Sequence, residues 1–286
     1  MSYRITGYTR LIGLLGYPIR HSRSPHMHNS AFRHLGLDYV YLVFEVDNQN
    51  LEDAIKSMRT LDVTGFNVTM PNKQKVIPLL DELSVEAKII GAVNTVHNKD
   101  GKLIGYNTDG KGFVDALGYE DIDPKGKTFC IVGAGGAGTA VSVQLALDGA
   151  GELRIFTRRE EQRNELIQKI KEGVPEVEIK AFPLEMDILK EQCKDADVFV
   201  QTTGVGMGEA EDQSIVTDPT VFHPDLAVVD IIYSPATTRL MKMAKEAGCR
   251  KVFNGLGMML GQGALAFNIW TGEQMPIEFV KQELGF

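Results

Sequence analysis

Thr128-Phe-Cys-Ile-Val132-Gly133-Ala-Gly135-Gly-Ala-Gly138-Thr-Ala-Val-Ser-Val-Gln-Leu-Ala-Leu147 is the stretch that decides the fold. Its first five residues, Thr128 and four apolar ones, have the length of a strand, and its last nine read as a helix. Between them lies Gly-x-Gly-x-x-Gly. The spacing alone carries little information, but a strand before it and a helix after it give it a physical meaning. Glycines allow a tight turn and close backbone approach, while the first turn of the helix points N–H groups at an anion. A dinucleotide pyrophosphate needs both.

Downstream, strands are expected at residues 153–156, 177–181, 198–201 and 227–232, with helices between most of them. This is the βαβ series of a doubly wound parallel sheet. About 20 residues past the glycines, where an acidic residue usually takes the ribose 2'-hydroxyl, the chain carries Thr157-Arg158-Arg159 followed by Glu160. Two guanidinium forks suit a 2'-phosphate, and Glu160 suits an unphosphorylated ribose, so the motif admits NADP or NAD.

Upstream, the polar link Asp121-Ile-Asp-Pro-Lys-Gly126 separates this series from an earlier α/β stretch. Strands are expected there at residues 11–15, 39–46 and 66–70, the last stopped by Pro71, with a hairpin over 94–106 turning at Asp100-Gly101. Ser24-Pro25 reads as N-cap and first residue of a helix with Met27, Ala31 and Leu35 on its inner face and Gly36 at its end. A second helix covers 51–58. The final segment, Gly255 to Leu260 and a helix through Trp270, is apolar enough to dock back on the first domain. The expected fold is α/β in two domains: residues 1–112 completed by 256–286, and a Rossmann-type dinucleotide-binding domain over 113–255.

The 286 residues and the 43% hydrophobic content fit two medium domains. A formal net charge of -8 argues against nucleic acid or an anionic membrane as a partner. Cys130, Cys193 and Cys249 make no metal or disulfide pattern, which fits a cytoplasmic setting. Neither a cleavable leader nor a membrane-spanning run is read in the sequence. No metal site is expected, because His21, His26 and His28 do not share a helical face and no His-Glu-x-x-His set exists. A Gly-x-Ser-x-Gly hydrolase elbow is also missing.

The first domain gathers small polar residues at the ends of its elements, where side chains can converge on a ligand. Ser22 and Ser24 lead; Ser24 has a ready structural role as a cap, and Ser22 has none. Asn67 and Thr69 alternate onto one strand face, and Lys73 lies just past the Pro71 break. Lys73 with Asp109 forms a candidate ammonium–carboxylate couple able to move a proton while hydride leaves carbon; otherwise the two are a surface ion pair.

Taken together, Gly16-Tyr-Pro-Ile-Arg-His-Ser22-Arg-Ser24-Pro, Asn67-Val-Thr69-Met-Pro-Asn-Lys73, Gly91-Ala-Val-Asn94-Thr, Tyr106-Asn-Thr-Asp109-Gly, Gly133 to Gly138, Asp230-Ile-Ile-Tyr233 and Asn254-Gly-Leu-Gly-Met258 with Gln262 resemble the shikimate dehydrogenase family. Phe44-Glu-Val-Asp47, Met70-Pro-Asn-Lys73-Gln and Ile269-Trp-Thr-Gly272 look most like its bacterial quinate/shikimate branch. The resemblance implies reversible oxidation of a ring hydroxyl, interconverting shikimate and 3-dehydroshikimate, or quinate and 3-dehydroquinate, with NADP or NAD. It implies that Ser22, Ser24, Thr69, Asn94, Asp109, Tyr233 and Gln262 hold the substrate, with Tyr41 a further candidate. Lys73 would be the acid/base group steered by Asp109. Gly133, Ala134, Gly135, Gly136, Ala137, Thr157, Arg158, Arg159, Ile231 and Gly255 would line the cofactor, with Glu160 beside the ribose. A small molecule is the expected partner, with a homodimer left open.

Three departures stand against the pattern. Gly261 replaces a tryptophan and bears on substrate choice, while Thr157 for asparagine and Val205 for lysine bear on cofactor choice. Two other readings stay open: an enzyme acting on an aminated shikimate analogue, and a non-catalytic NADPH sensor, against which the presence of both Lys73 and Asp109 speaks.

Overall fold

The alternating strands and helices assemble, in a computed structural model that describes residues 4–286, into two six-stranded sheets. The chain divides into two compact units, Met1–Thr108 with Leu260–Phe286, and Asp109–Met259. The first break falls at the start of the helix Asp109–Tyr119, four residues before the expected boundary at residue 112, and the second follows Met259 rather than Gly255.

The first unit runs β1 (Arg10–Gly16), α1 (Ser24–Leu35), β2 (Tyr39–Glu45), α2 (Leu51–Thr60), β3 (Gly65–Val68), β4 (Glu82–Leu83), α3 (Val85–Ile90), β5 (Thr95–Lys99) and β6 (Lys102–Tyr106). Its sheet order is β2-β1-β3-β5-β6-β4, with β1, β2 and β3 parallel and β5 antiparallel to both its neighbours. The β5–β6 hairpin turns at Asp100 and Gly101, which take φ of 54° and 84°, the left-handed pair that a two-residue turn demands. One face of the sheet packs Leu15, Phe66, Val68, Val96 and Leu103 against Ile55 and Met58 of α2.

Helix α1 differs from expectation at both ends. Its N-cap is Arg23 rather than Ser24, with no side-chain cap. The Ser24 N–H is instead taken by Ser22 Oγ at 3.2 Å, so Ser22 has a local structural job after all. Met27 and Ala31 are buried as read, but Leu35 is 39% exposed because the helix is ending there at left-handed Gly36. Asn29 of α1 closes the edge of β2: its side chain donates to Tyr41 O at 2.9 Å and accepts from Tyr41 N at 2.8 Å.

The second unit contains α4 (Asp109–Tyr119), β7 (Thr128–Val132), α5 (Gly136–Leu147), β8 (Glu152–Phe156), α6 (Glu160–Gly173), β9 (Glu178–Phe182), α7 (Met186–Cys193), β10 (Val198–Gln201), β11 (Ala227–Asp230), α8 (Arg239–Glu246) and β12 (Val252–Phe253). All six strands are parallel, in the order β12-β11-β10-β7-β8-β9. This is the doubly wound order with its switch point between β7 and β10. β8, β10 and β11 are buried along their whole length; β10 and β11 accordingly read as apolar runs up to a polar last residue, whereas β8 buries Glu152 and Arg154 as an ion pair at 2.7 Å.

Helix α9 (Leu256–Thr271) carries the chain back to the first unit, and α10 (Ile277–Glu283) follows. In the first unit Trp270 donates its indole N–H to Val96 O at 2.9 Å, and a Cβ at Gly65 would stand 2.4 Å from that indole. Gly263 makes similar room for Met27. The apolar C-terminal segment therefore does complete this core. Among the described residues no helix is long and apolar enough to cross a membrane, and no His/Cys/Asp/Glu group has metal-binding geometry.

Candidate active site

In the first unit the candidate substrate residues collect at one end of the sheet. Ser22 lies on the loop after β1. Thr69 follows β3, its N–H donating to Leu15 O at 2.9 Å, and its methyl so close to Gly16 that a Cβ there would sit 2.4 Å away. Lys73 comes one turn later, half-buried, and its carbonyl accepts from Val93 N at 2.8 Å, which places its backbone beside Asn94. Because β5 runs antiparallel to β3, Asn94 at its start lies at the same end where β3 finishes. Ser22, Ser24, Thr69, Lys73 and Asn94 are thus brought together by three strands. Gln262, half-buried, enters on α9 between buried Gly261 and Gly263.

Tyr41 is placed differently from an ordinary ligand contact, being fully buried. Its hydroxyl donates to Asn67 Oδ1 at 2.7 Å, and burial pushes the phenol's pKa up, with the Ser24 hydroxyl pulling it down. Its ring stacks on His28 with centroids 4.6 Å apart, inside a box completed by Phe32, Phe267 and Trp270. Both His28 nitrogens are buried without hydrogen-bond partners, and burial lowers its pKa to about 3.

Asp109 and Tyr233 belong to the second unit. Asp109 opens α4, one residue after Thr108, whose hydroxyl accepts from Asn94 Nδ2 at 3.0 Å. The glycine turn after β7 meets the requirements set by its sequence. Gly133 has φ of 109°, and a Cβ on Gly138 would stand 2.3 Å from Gly133 O, so the first and third glycines serve the turn and the helix–strand approach. Gly135 and Gly136 meet nothing within 4 Å. They leave the uncapped first turn of α5 open to a pyrophosphate, with Ala134 and Ala137 alongside, so the residues present fit a dinucleotide.

At the end of β8, Thr157 is buried and accepts at its carbonyl from Arg163 at 2.8 Å, while Arg158, Arg159 and Glu160 are exposed at the start of α6. At the end of β11, Ile231 and Tyr233 are half-buried, and Gly255 lies so near Ile231 that a Cβ there would be 1.8 Å from its carbonyl oxygen. Asp230 anchors this loop: Oδ1 accepts from Ile232 N at 3.1 Å and Oδ2 from Thr238 Oγ1 at 2.7 Å. Burial raises its pKa to about 6, with the Thr238 hydroxyl bond opposing.

Several supporting residues escape sequence reading. Thr202 bridges β10 to the glycine turn, donating to Val132 O at 2.9 Å and lying 3.2 Å from Gly133 O. Gln201 braces the next loop through Thr203 O and Val205 O, both at 3.0 Å. Asn67 and Thr95 join Tyr41 to Asn94. The one available signal is position: Gln201, Thr202 and Asn67 sit at or beside the carboxyl end of a strand, where α/β sheets carry their ligands, while Thr95 opens the antiparallel β5 and reaches that end only by pairing with Asn67.

Fold and site define a class: two-unit α/β proteins that join a Rossmann-type nucleotide-binding sheet to a mixed sheet presenting clustered polar side chains. Comparison with known proteins narrows it. Residues 14–96 match the shikimate dehydrogenase substrate binding domain, and residues 255–284 match the shikimate 5'-dehydrogenase C-terminal domain. The chain is 58% identical over 282 residues to a shikimate dehydrogenase (NADP(+)) of Alkaliphilus metalliredigens, covering 99% of this chain and 98% of that protein. A shikimate 5-dehydrogenase from Listeria monocytogenes, solved with shikimate and NAD, superposes with a TM-score of 0.96 at 44% identity, covering 99% of both chains. A quinate dehydrogenase from Corynebacterium glutamicum, solved with NAD, gives 0.89 at 30% identity, covering 96% of this chain and 98% of that one. The chain belongs to the shikimate dehydrogenase family.

Proposed function

We propose that this chain is an NADP-dependent shikimate dehydrogenase, reducing the ring carbonyl of 3-dehydroshikimate to the shikimate hydroxyl and running the reverse reaction. The observation that carries this reading is the convergence of Ser22, Ser24, Thr69, Lys73 and Asn94 at one sheet end, in a chain so similar to such an enzyme along its full length. Gly133 to Ala137, Ile231 and Gly255 would hold a dinucleotide, with Thr157, Arg158 and Arg159 at its ribose phosphate; bound there, it would supply hydride from its nicotinamide ring. Lys73 gives a proton to the carbonyl oxygen as the carbon is reduced, and takes it back in oxidation. Asp109 orients the ammonium and shares the ring hydroxyls with Asn94, Thr69, Tyr233 and Gln262, while Ser22 and Ser24 hold the ring carboxylate.

The exposed arginine pair favours NADP(H) over NAD(H) through charge-assisted bonds to a 2'-phosphate. Similarity to a quinate dehydrogenase makes quinate the second substrate to try. Initial rates with shikimate and quinate, each against NADP+ and NAD+, test the reading. The fastest turnover is expected for shikimate with NADP+; a chain that binds NADP+ but turns over neither acid would defeat it.

A further inference from the structure

A buried polar chain crosses the first unit: Tyr41, Asn67, Thr95, Asn94 and Thr108, each 8% exposed or less. Backbone groups, whose roles cannot change, fix its direction. The Asn94 carbonyl can only accept, so the Asn67 edge facing it at 3.0 Å is Nδ2. Oδ1 then faces Tyr41, and the phenol must donate. At the other end the Thr108 N–H can only donate, so the Asn94 edge it meets at 2.9 Å is Oδ1. Nδ2 of Asn94 then faces Thr108 Oγ1. Thr95 Oγ1 lies 3.0 Å from Asn67 Nδ2 and 3.0 Å from Asn94 Oδ1, so it accepts from the first and donates to the second. With one proton on Thr95, both amides are locked in a single orientation.

We propose that Asn67 and Thr95 are positioning residues that fix the hydrogen-bond polarity of the substrate site: Tyr41 Oη meets Ser24 or a ligand hydroxyl only as an acceptor, and Asn94 meets the ligand only as an N–H donor. The inference rests on the proposed function. It adds a rule for the substrate: the ring must offer an oxygen lone pair to Asn94, and any ring group that meets Tyr41 Oη itself must bring the proton. A buried polar site rejects a ligand that leaves such a group unpaired far more strongly than it rejects a small change of size.

Two pairs of variants test it. Thr95→Val removes the relay at constant shape and Thr95→Ser keeps it, so the KM for shikimate should rise roughly 10- to 100-fold in the first and stay near wild type in the second. For both, kcat and the NADP+ dissociation constant should change little. In Asn67→Asp a carboxylate would face the Asn94 carbonyl, whereas the protonated acid restores the missing donor. Its KM ratio to wild type should therefore fall as pH is lowered from 8 to 5, while that of Asn67→Ala stays flat. The same contrast should appear without ligand, Asn67→Asp gaining on Asn67→Ala in denaturation midpoint as pH falls. Wild-type KM in Thr95→Val, or equal midpoints for the two Asn67 variants at every pH, overturns the inference. A wild-type protein inert toward shikimate that keeps the midpoint contrast defeats the proposed function and leaves the polarity lock standing.

Discussion

Lys73 and His28 show how differently two basic side chains of one unit are used. Lys73 is half-buried at the sheet end where the candidate ligand groups collect, and Lys73→Ala is expected to lower turnover by roughly 10²- to 10⁴-fold while leaving NADP+ affinity near wild type. Single-turnover rates beside a binding titration check this, and near-normal turnover would remove Lys73 from the chemistry. His28 is held neutral, its pKa lowered by burial to about 3 from the ordinary 6.5. The unfolded chain therefore takes the proton first as pH falls, so His28's contribution is intact above about 6.5 and drains away toward 3, by a total on the order of 5 kcal/mol. In His28→Phe, which suits the aromatic box, denaturant midpoints should flatten across pH 4–6.5; an unchanged acid slope would show that other groups cause it. Asp230 has the opposite sign. With a folded pKa near 6 against 3.8 unfolded, stability falls as pH rises through that window. Asp230→Asn, which keeps an acceptor for Ile232 and offers a donor to Thr238, should gain about 1–3 kcal/mol at pH 8 and little at pH 4. Equal gains at both pH values would contradict the assignment.

At the scale of elements, the turn between β7 and α5 is held from two sides, by the glycines themselves and by Thr202. A methyl on Gly138 would collide with Gly133 O and with Thr202 Oγ1, neither a flexible chain end. Gly138→Ala should cost about 1–3 kcal/mol and weaken NADP+ binding, whereas Gly136→Ala, open at its Cβ, should chiefly affect binding. Comparing melting temperature with dissociation constant for the two variants separates the roles; equal destabilisation would refute the division. This turn was legible because it is a local motif, and β7 and β10 were read to the residue because buried parallel strands are contiguous apolar runs. The two-residue strands β4 and β12 were not, since so short a pairing has no periodicity to detect. Nor was the bond from Asn67 to Thr95, which exists only because β3 and β5 align those residues across 28 positions of chain. Ser24 is not the cap because Met27 N donates to Arg23 O, which makes Ser24 the first residue inside the helix, with its own N–H taken by Ser22 Oγ.

At the scale of the whole chain, the sequence already placed the glycine-bearing half inside a framework closed by the last helices, because only a strongly apolar tail needs another core to cover it. Where the break would fall was harder, since α4 is continuous through the residue chosen as the boundary. The first unit is discontinuous: its sheet lies within residues 1–108, yet Phe267 and Trp270, which enclose His28 and cover Gly65, arrive only with the C-terminal segment. Domains usually fold in the order in which they leave the ribosome. Here the nascent chain has to reverse that order, because the later-made nucleotide-binding half is complete while the earlier half still waits for its closing helix with an aromatic gap facing water. Until residues 267–270 emerge, His28, Phe32 and Tyr41 therefore lack the rings that enclose them, and the earlier half is the one whose apolar surface is open to wrong contacts.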